Sequence, residues 1–348
     1  MILSTMRYSY IYTKLRARKS RFLDTLFYEK LIGAENTVAI LRMLSPTPYA
    51  GAVTELLSGD IKSETIDKLL VDLYNYEFEM LSRFLPKRAR KYAKLYERRA
   101  FFDAIRSVIR GKHSGLEPEE IDEYLVLPSS SRKELDKLTS LGTIEQIVDA
   151  VPDKLLRKAL QQAYTRFTVT GNVTYFELAI DNYYYTTLGE GAKKVLRGLD
   201  KKVATQHVLE IIEMLNILTI LRGKRHGIPE EELREYTIEQ FYKLKYYWHN
   251  LLQAKSEVDV LNILEETTYG PILQDYRDAS GKISSFRELE LGFQKFLYER
   301  SKKLWATPFN IGNFLAYFDG RKIETQNLRS ILLGKLNGLS GDEIKILY

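Results

Sequence analysis

The stretch Gly111-Lys112-His113-Ser114-Gly115-Leu116-Glu117-Pro118-Glu119-Glu120-Ile121 comes back as Gly223-Lys224-Arg225-His226-Gly227-Ile228-Pro229-Glu230-Glu231-Glu232-Leu233. It returns a third time as Gly334-Lys335-Leu336-Asn337-Gly338-Leu339-Ser340-Gly341-Asp342-Glu343-Ile344, so one pattern, G-K-x-x-G-Φ-x-x-x-E-Φ with Φ apolar, holds throughout. The period is about 111 residues, and self-similarity at a fixed period decides the architecture before any local reading does. In each copy an apolar helical segment (AIRSVIR, NILTILR, NLRSILL) runs into the glycine of the G-K pair. That glycine is expected to be the left-handed helix stop, with a cation beside the negative helix end. Pro118, Pro229 and Ser340 then open the next helix, with acidic residues in its first turn.

A second landmark keeps nearly the same spacing: Ile40 to Leu44, Ile147 to Val151 and Val260 to Leu264. Eight residues before the end of each stand Asn36, Thr143 and Ser256, side chains able to accept the free N–H groups of a first helical turn. Tyr49 and Tyr269 follow at equivalent positions, where the middle copy has Leu156; a structural role is expected for both tyrosines. Period-2 alternation with β-branched residues is scarce outside Thr165 to Val173. The expected class is therefore all-α, with three divergent copies of one helical unit, residues 1–125, 126–236 and 237–348.

The 348 residues are 45% apolar and 12% aromatic, ample for packed cores without metals or disulfides. There is no cysteine, which removes disulfides, thiolate metal sites and thiol nucleophiles together. The first residues carry charges every few positions and do not read as a secretory leader. The most apolar run, Val208 to Leu221, is broken by Glu210, Glu213, Asn216 and Thr219 and is shorter than the ~20 residues of a membrane span. A net charge of +6 favours an anionic partner without naming one.

Known catalytic patterns are missing. The four Gly-Lys pairs are followed by His113, Arg225, Ile283 and Leu336, never by the Ser or Thr that a phosphate loop needs. Leu188-Gly189-Glu190-Gly191 lacks the third glycine and preceding strand of a dinucleotide fingerprint and is expected to be a loop. His113, His207, His226 and His249 have no metal-ligand spacing. No catalytic residue, cofactor or metal ligand is assigned.

The densest charged feature is Pro86 to Arg99, which interleaves basic residues with Tyr92 and Tyr96 and has Glu97 as its only acid. Lys87, Arg88, Arg90, Lys91, Lys94 and Arg98 are the candidate partner-interface residues, able to grip phosphates or anionic headgroups. The competing reading is a solvated helix face balanced by carboxylates from elsewhere in the fold. A second basic run is Lys14, Arg16, Arg18, Lys19 and Arg21. Tyr183 to Tyr185, and Tyr242, Tyr246 and Tyr247 with Trp248, suit helix packing and large interfaces alike, with packing the preferred reading.

The run Tyr10 to Leu23 (YIYTKLRARKSRFL), Phe27-Tyr28 and Leu41 to Tyr49 (LRMLSPTPY), together with the triple landmark, resembles the C subunit of archaeal and bacterial A/V-type ATP synthases. That family is related to the d subunit of eukaryotic vacuolar ATPases. The resemblance spans the whole chain and implies a funnel of three similar helical domains around a pseudo-three-fold axis. It also implies a non-catalytic component, one copy per complex, peripheral on the cytoplasmic face of the membrane. The partners implied are the proteolipid ring and the central-stalk subunits, with anionic lipid headgroups as a further candidate. Copy two departs most, lacking the T-x-Y element. A helical-repeat nucleic-acid binder is the alternative; against it, the dense basic runs sit in copy one only, so no nucleic acid is expected.

Overall fold

The computed structural model describes residues 2–123, 125 and 132–347. In chain order the helices are α1 Ile2–Lys19, α2 Thr25–Ile32, α3 Thr37–Leu44, α4 Ala50–Ser58, α5 Ser63–Ser82, α6 Lys87–Glu97, α7 Arg99–His113, α8 Pro118–Glu123, α9 Arg132–Thr139 and α10 Ile144–Ala150. They continue as α11 Lys154–Thr170, α12 Thr174–Val195, α13 Gly198–Arg225, α14 Glu230–Tyr236, α15 Trp248–Gln253, α16 Glu257–Glu265, α17 Gly270–Gln274, α18 Phe286–Lys302 and α19 Ile311–Leu336. Among the described residues there is no strand, only an isolated antiparallel bridge between Arg277 and Ile283. The class is all-α. Thr165 to Thr170, where alternation hinted at a strand, lies inside α11. The Thr165 and Thr170 hydroxyls donate to the carbonyls four residues back, at 3.1 and 3.0 Å, which helical backbone permits. Leu188 to Gly191, expected to be a loop, lies inside α12, where Gly189 and Gly191 are buried.

The chain divides into two compact units, Met1–Arg157 with Trp305–Tyr348, and Lys158–Leu304. The sequence copies have their first boundary beside residues 126–131, which lie outside the described residues. In the first unit, α19 packs on α1, α3 and α5, and α7 packs on α9 and α10. Leu328, Ile331, Leu332 and Ile344 share a core with Leu31, Ile40, Leu41, Leu44, Tyr49 and Ile66. In the second unit, α13 packs on α12, α16 and α18, with Ile217, Leu221 and Leu233 joining Leu251, Leu261, Leu264, Tyr269 and Leu289. Helices α7 and α13 thus serve the second landmark of the copy that follows each, and α19 serves that of the first copy.

The apolar run at Val208 belongs to a longer helix than its composition suggested. By length and composition α13 could cross a membrane, yet two thirds of its most apolar window is buried inside the protein. It is the core helix of its unit, and Asn216 in its interior is engaged: its amide donates to the Ile238 carbonyl and accepts from the Ile238 N–H, both at 2.8 Å.

The landmark glycines have different jobs from those expected. Gly111, Gly223 and Gly334 lie within their helices, and the left-handed residues are the second glycines, Gly115, Gly227 and Gly338, at φ 76°, 70° and 73°. The Leu116, Ile228 and Leu339 N–H groups donate to the Gly111, Gly223 and Gly334 carbonyls at 2.9–3.0 Å, closing the same C-terminal motif three times. The first glycine is required by packing. A Cβ there would meet Ile121 Cγ1 at 2.6 Å in copy one and Ile344 Cγ1 at 2.8 Å in copy three, and would overlap Leu233 in copy two. The last Φ of the pattern presses on the first G.

The second landmark behaves as read. Asn36 accepts from Ala39 N–H at 3.0 Å, Thr143 from Gln146 N–H at 3.2 Å and Ser256 from Asp259 N–H at 3.2 Å, opening α3, α10 and α16.

Candidate interaction surface

Helix α6 is amphipathic. Ala89, Tyr92 and Ala93 are buried, while Lys87, Arg88, Lys91 and Lys94 lie on its outer side. Lys87 and Arg88 occupy the first turn, which contains no acid. A cation there opposes the helix dipole at about 0.3–1 kcal/mol each at low ionic strength, so helix stability does not explain these residues. Lys87, Arg88 and Lys91 have no ion pair among the described residues, and Lys94 lies near Glu97.

The other two candidates are held by the fold. Arg90 donates to the Leu85 carbonyl at 3.2 Å and to the Arg83 carbonyl, satisfying chain ends left open where α5 stops. Arg98 lies 3.5 Å from Asp153 and stacks over Phe102, 5.0 Å from the ring centre. The open cationic strip is therefore Lys87, Arg88, Lys91 and Lys94. The basic run of α1 is more fully occupied. Arg18 pairs with Glu77 at 2.7 Å, Lys14 lies over Tyr10 and Phe84, and Arg16 and Lys19 lie over Trp305. Of the aromatic cluster at 242–248, Trp248 is buried whereas Tyr246 is 88% exposed.

Sequence reasoning missed a set of buried polar joints. Ten residues before the G of each G-K stand Phe101, Glu213 and Glu324. The Tyr269 hydroxyl donates to Glu213 at 2.6 Å and the Tyr49 hydroxyl donates to Glu324 at 2.7 Å. Burial, reinforced by the neighbouring carboxylate, pushes both tyrosines well above their ordinary pKa. Glu213 also accepts from the Tyr242, Lys243 and Leu244 N–H groups at 2.6–2.7 Å, and Glu324 from the Leu23 N–H at 2.7 Å. Where the helix carries Phe101, the corresponding place is Leu156, and both are buried. Copy two, which lacks the tyrosine, is thus served by the helix that lacks the carboxylate.

Thirteen residues before the same glycines stand Arg98, Glu210 and Arg321. Arg98 faces Asp153, Glu210 pairs with Arg300 at 2.6 Å, and Arg321 pairs with Glu77 at 2.8 Å and with Glu324. Glu77 and Arg300 are the fifteenth residues of α5 and α18, so the second and third joints are one ion pair with its polarity reversed. Among the described residues no group of three or more His, Asp or Glu is arranged to hold a metal ion.

The sequence profile of the family described as "ATP synthase (C/AC39) subunit" matches residues 11–346. The chain belongs to that family. Its relatives named as the C subunit of A-type ATP synthases include one from Methanocaldococcus jannaschii, 28% identical over all of this chain and 87% of the relative. Another, from Methanosarcina barkeri, is 26% identical over 98% of this chain and 92% of its own length. A third, from Pyrococcus abyssi, is 25% identical over 97% of this chain and 89% of its own. As a member of the family the chain is a non-catalytic ATP synthase component, part of a membrane-associated complex with other subunits as its partners.

Proposed function

We propose that the chain is the central-rotor connector of an A/V-type rotary ATP synthase, joining the central stalk to the proteolipid ring on the cytoplasmic face of the membrane. Torque passing through it couples ATP synthesis or hydrolysis to transport of protons or sodium ions. The carrying observation is the match to the family over nearly the whole chain, with relatives named as the C subunit of A-type ATP synthases. The cyclic service of copies by landmark helices supports the reading. A rotor part must bear torsion without unwinding, and here the last long helix is packed against the first helices instead of hanging free. The three copies, 1–125, 126–236 and 237–348, form a funnel around a pseudo-three-fold axis in this reading, with one chain per complex. Lys87, Arg88, Lys91 and Lys94 form the cationic strip offered to an anionic face of ring or headgroups.

Native mass spectrometry of the detergent-solubilised complex that co-purifies with the chain from its own membranes tests the proposal. One copy bound with stalk subunits and a proteolipid ring is expected. Recovery only as a free protein, or with nucleic acid, would overturn it.

A further inference from the structure

Helices α13 and α19 are built alike, and so are the sites that receive them. Each helix brings a glutamate ten residues before its landmark glycine, and each receiving site answers with a tyrosine, Tyr269 or Tyr49, at nearly equal hydrogen-bond length. The apolar contacts are similar in kind, leucine and isoleucine on both sides. On these terms α19 would fit the α16–α18 site nearly as well as its own.

Chain connectivity favours that error. Only residues 303–310 separate α18 from α19, whereas everything from Arg83 to Asn310 separates α5 from α19. When the complete chain refolds from denaturant, closing the shorter loop costs less conformational entropy, so the wrong site is the nearer one for α19. One difference between the two sites is the ion pair three residues earlier on the helix. Placed in the α16–α18 site, α19 would set Arg321 against Arg300. Placed in the α3–α5 site, α13 would set Glu210 against Glu77. Arg321, Glu77 and Glu210 are more than nine-tenths buried in their native sites, whereas Arg300 keeps 28% of its side chain exposed, so like charges are screened little in the first site and only in part in the second.

We infer that the reversed polarity of Glu210–Arg300 and Arg321–Glu77 is a pairing code that lets each landmark helix accept its own receiving site and reject the other. Specificity arises from a repulsion in the wrong pairing as much as from an attraction in the right one. The first joint extends the code by other means: Arg98 lies 3.5 Å from Asp153, and buried Leu156 stands where the other sites have tyrosine, so a glutamate-bearing helix finds no hydroxyl there.

The swap Glu210→Arg with Arg300→Glu separates a code from an ordinary ion pair. It gives the second unit the order of charges the first already holds, arginine and glutamate three apart on one helix and glutamate on the other, so an ion pair is kept, without the Arg18 and Tyr317 contacts that Glu77 adds in the first unit. The urea midpoint, read by Trp248 fluorescence in a Trp305→Phe background, is expected to stay near that of the parent. The fraction recovered as native monomer after dilution from denaturant should fall toward about half, because two equivalent sites no longer tell the helices apart. Glu210→Gln with Arg300→Met, which removes both charges, serves as a second variant; replacing a buried pair by similar-sized neutral groups is often tolerated. It should lower recovery in the same sense. Recovery at the parent level from either variant, at an unchanged urea midpoint, overturns the inference, as does a loss of midpoint that accounts for the lost recovery in both. The inference stands on this chain's own packing and survives if the connector role fails.

Discussion

Gly223→Ala should weaken the second unit although alanine is the better helix former. In a free helix the change would gain about 0.8–1 kcal/mol. Here the new methyl would overlap Leu233 Cδ2 and come within 3.3 Å of its Cγ, and Leu233 is completely buried. Overpacking of this kind costs roughly 1–3 kcal/mol, which leaves a net loss of about 1 kcal/mol. With a urea slope of ~1–3 kcal/mol/M, the midpoint should fall by about 0.3–1 M. The chain has two tryptophans, so a Trp305→Phe background leaves Trp248, in the core of the second unit, as the reporter. Leu233→Ala alone should cost ~2–5 kcal/mol, and Gly223→Ala with Leu233→Ala should cost less than the two changes summed, since the added methyl enters the space vacated. A midpoint for Gly223→Ala above that of the parent, or strict additivity in the pair, would refute the packing role given to the first glycine.

Gly227→Ala, by contrast, forces a side chain into φ +70° with open space around it and should cost ~1–2 kcal/mol that no change at Leu233 recovers. Tyr269→Phe removes one of four partners of Glu213 and should cost about 1–3 kcal/mol in the same fluorescence titration, with the fold retained. Lys87→Glu, Arg88→Glu and Lys91→Glu together should release the chain from its membranes at physiological salt, by sedimentation, with an unchanged circular dichroism melt; retention on the membrane would show the strip is not used. Burial, with the Glu79 charge adding to it, holds the Glu97 carboxyl above its ordinary pKa, so the folded state favours its protonated form. Its cost is absent at pH below the ordinary carboxylate range and is complete once pH exceeds the raised value. Glu97→Gln should therefore match the parent in acid and exceed it in thermal stability near neutrality.

Helix content and the three N-caps were legible because each is local: Asn36, Thr143 and Ser256 sit next to the N–H groups they satisfy. The two glycines of the landmark were harder to tell apart. Both roles select glycine, and the collision that fixes the first one comes from Ile121, Leu233 or Ile344, whose approach depends on how the following segment folds back. The exposed strip was legible as a charge run, but the occupation of Arg90 by the carbonyls ending α5, and of Arg98 by Asp153, was not. The buried joints were least accessible, since Tyr49 and Glu324 meet across almost the entire chain. One trace did exist in sequence. The copy that lost its tyrosine is the one served by the helix with Phe101 in place of glutamate, a compensation visible only when each landmark helix is aligned with the copy after it.

The docking of α19 on α1, α3 and α5 also sets an order of events during synthesis. At ribosomal speeds of about 5–20 residues per second, the helices α2–α5 wait roughly 10–50 s for the segment that completes their core. Meanwhile Leu31, Ile40 and Leu41, fully buried in the finished protein, have no partner from α19 to shield them from water. The second unit has no such delay, because α13 is made before α15–α18 and the pieces of its core emerge in one run. The earliest-made helices are thus the last to be finished, and a protein truncated before Ile311 would spare its middle while leaving its N-terminal portion exposed to chaperones and proteases.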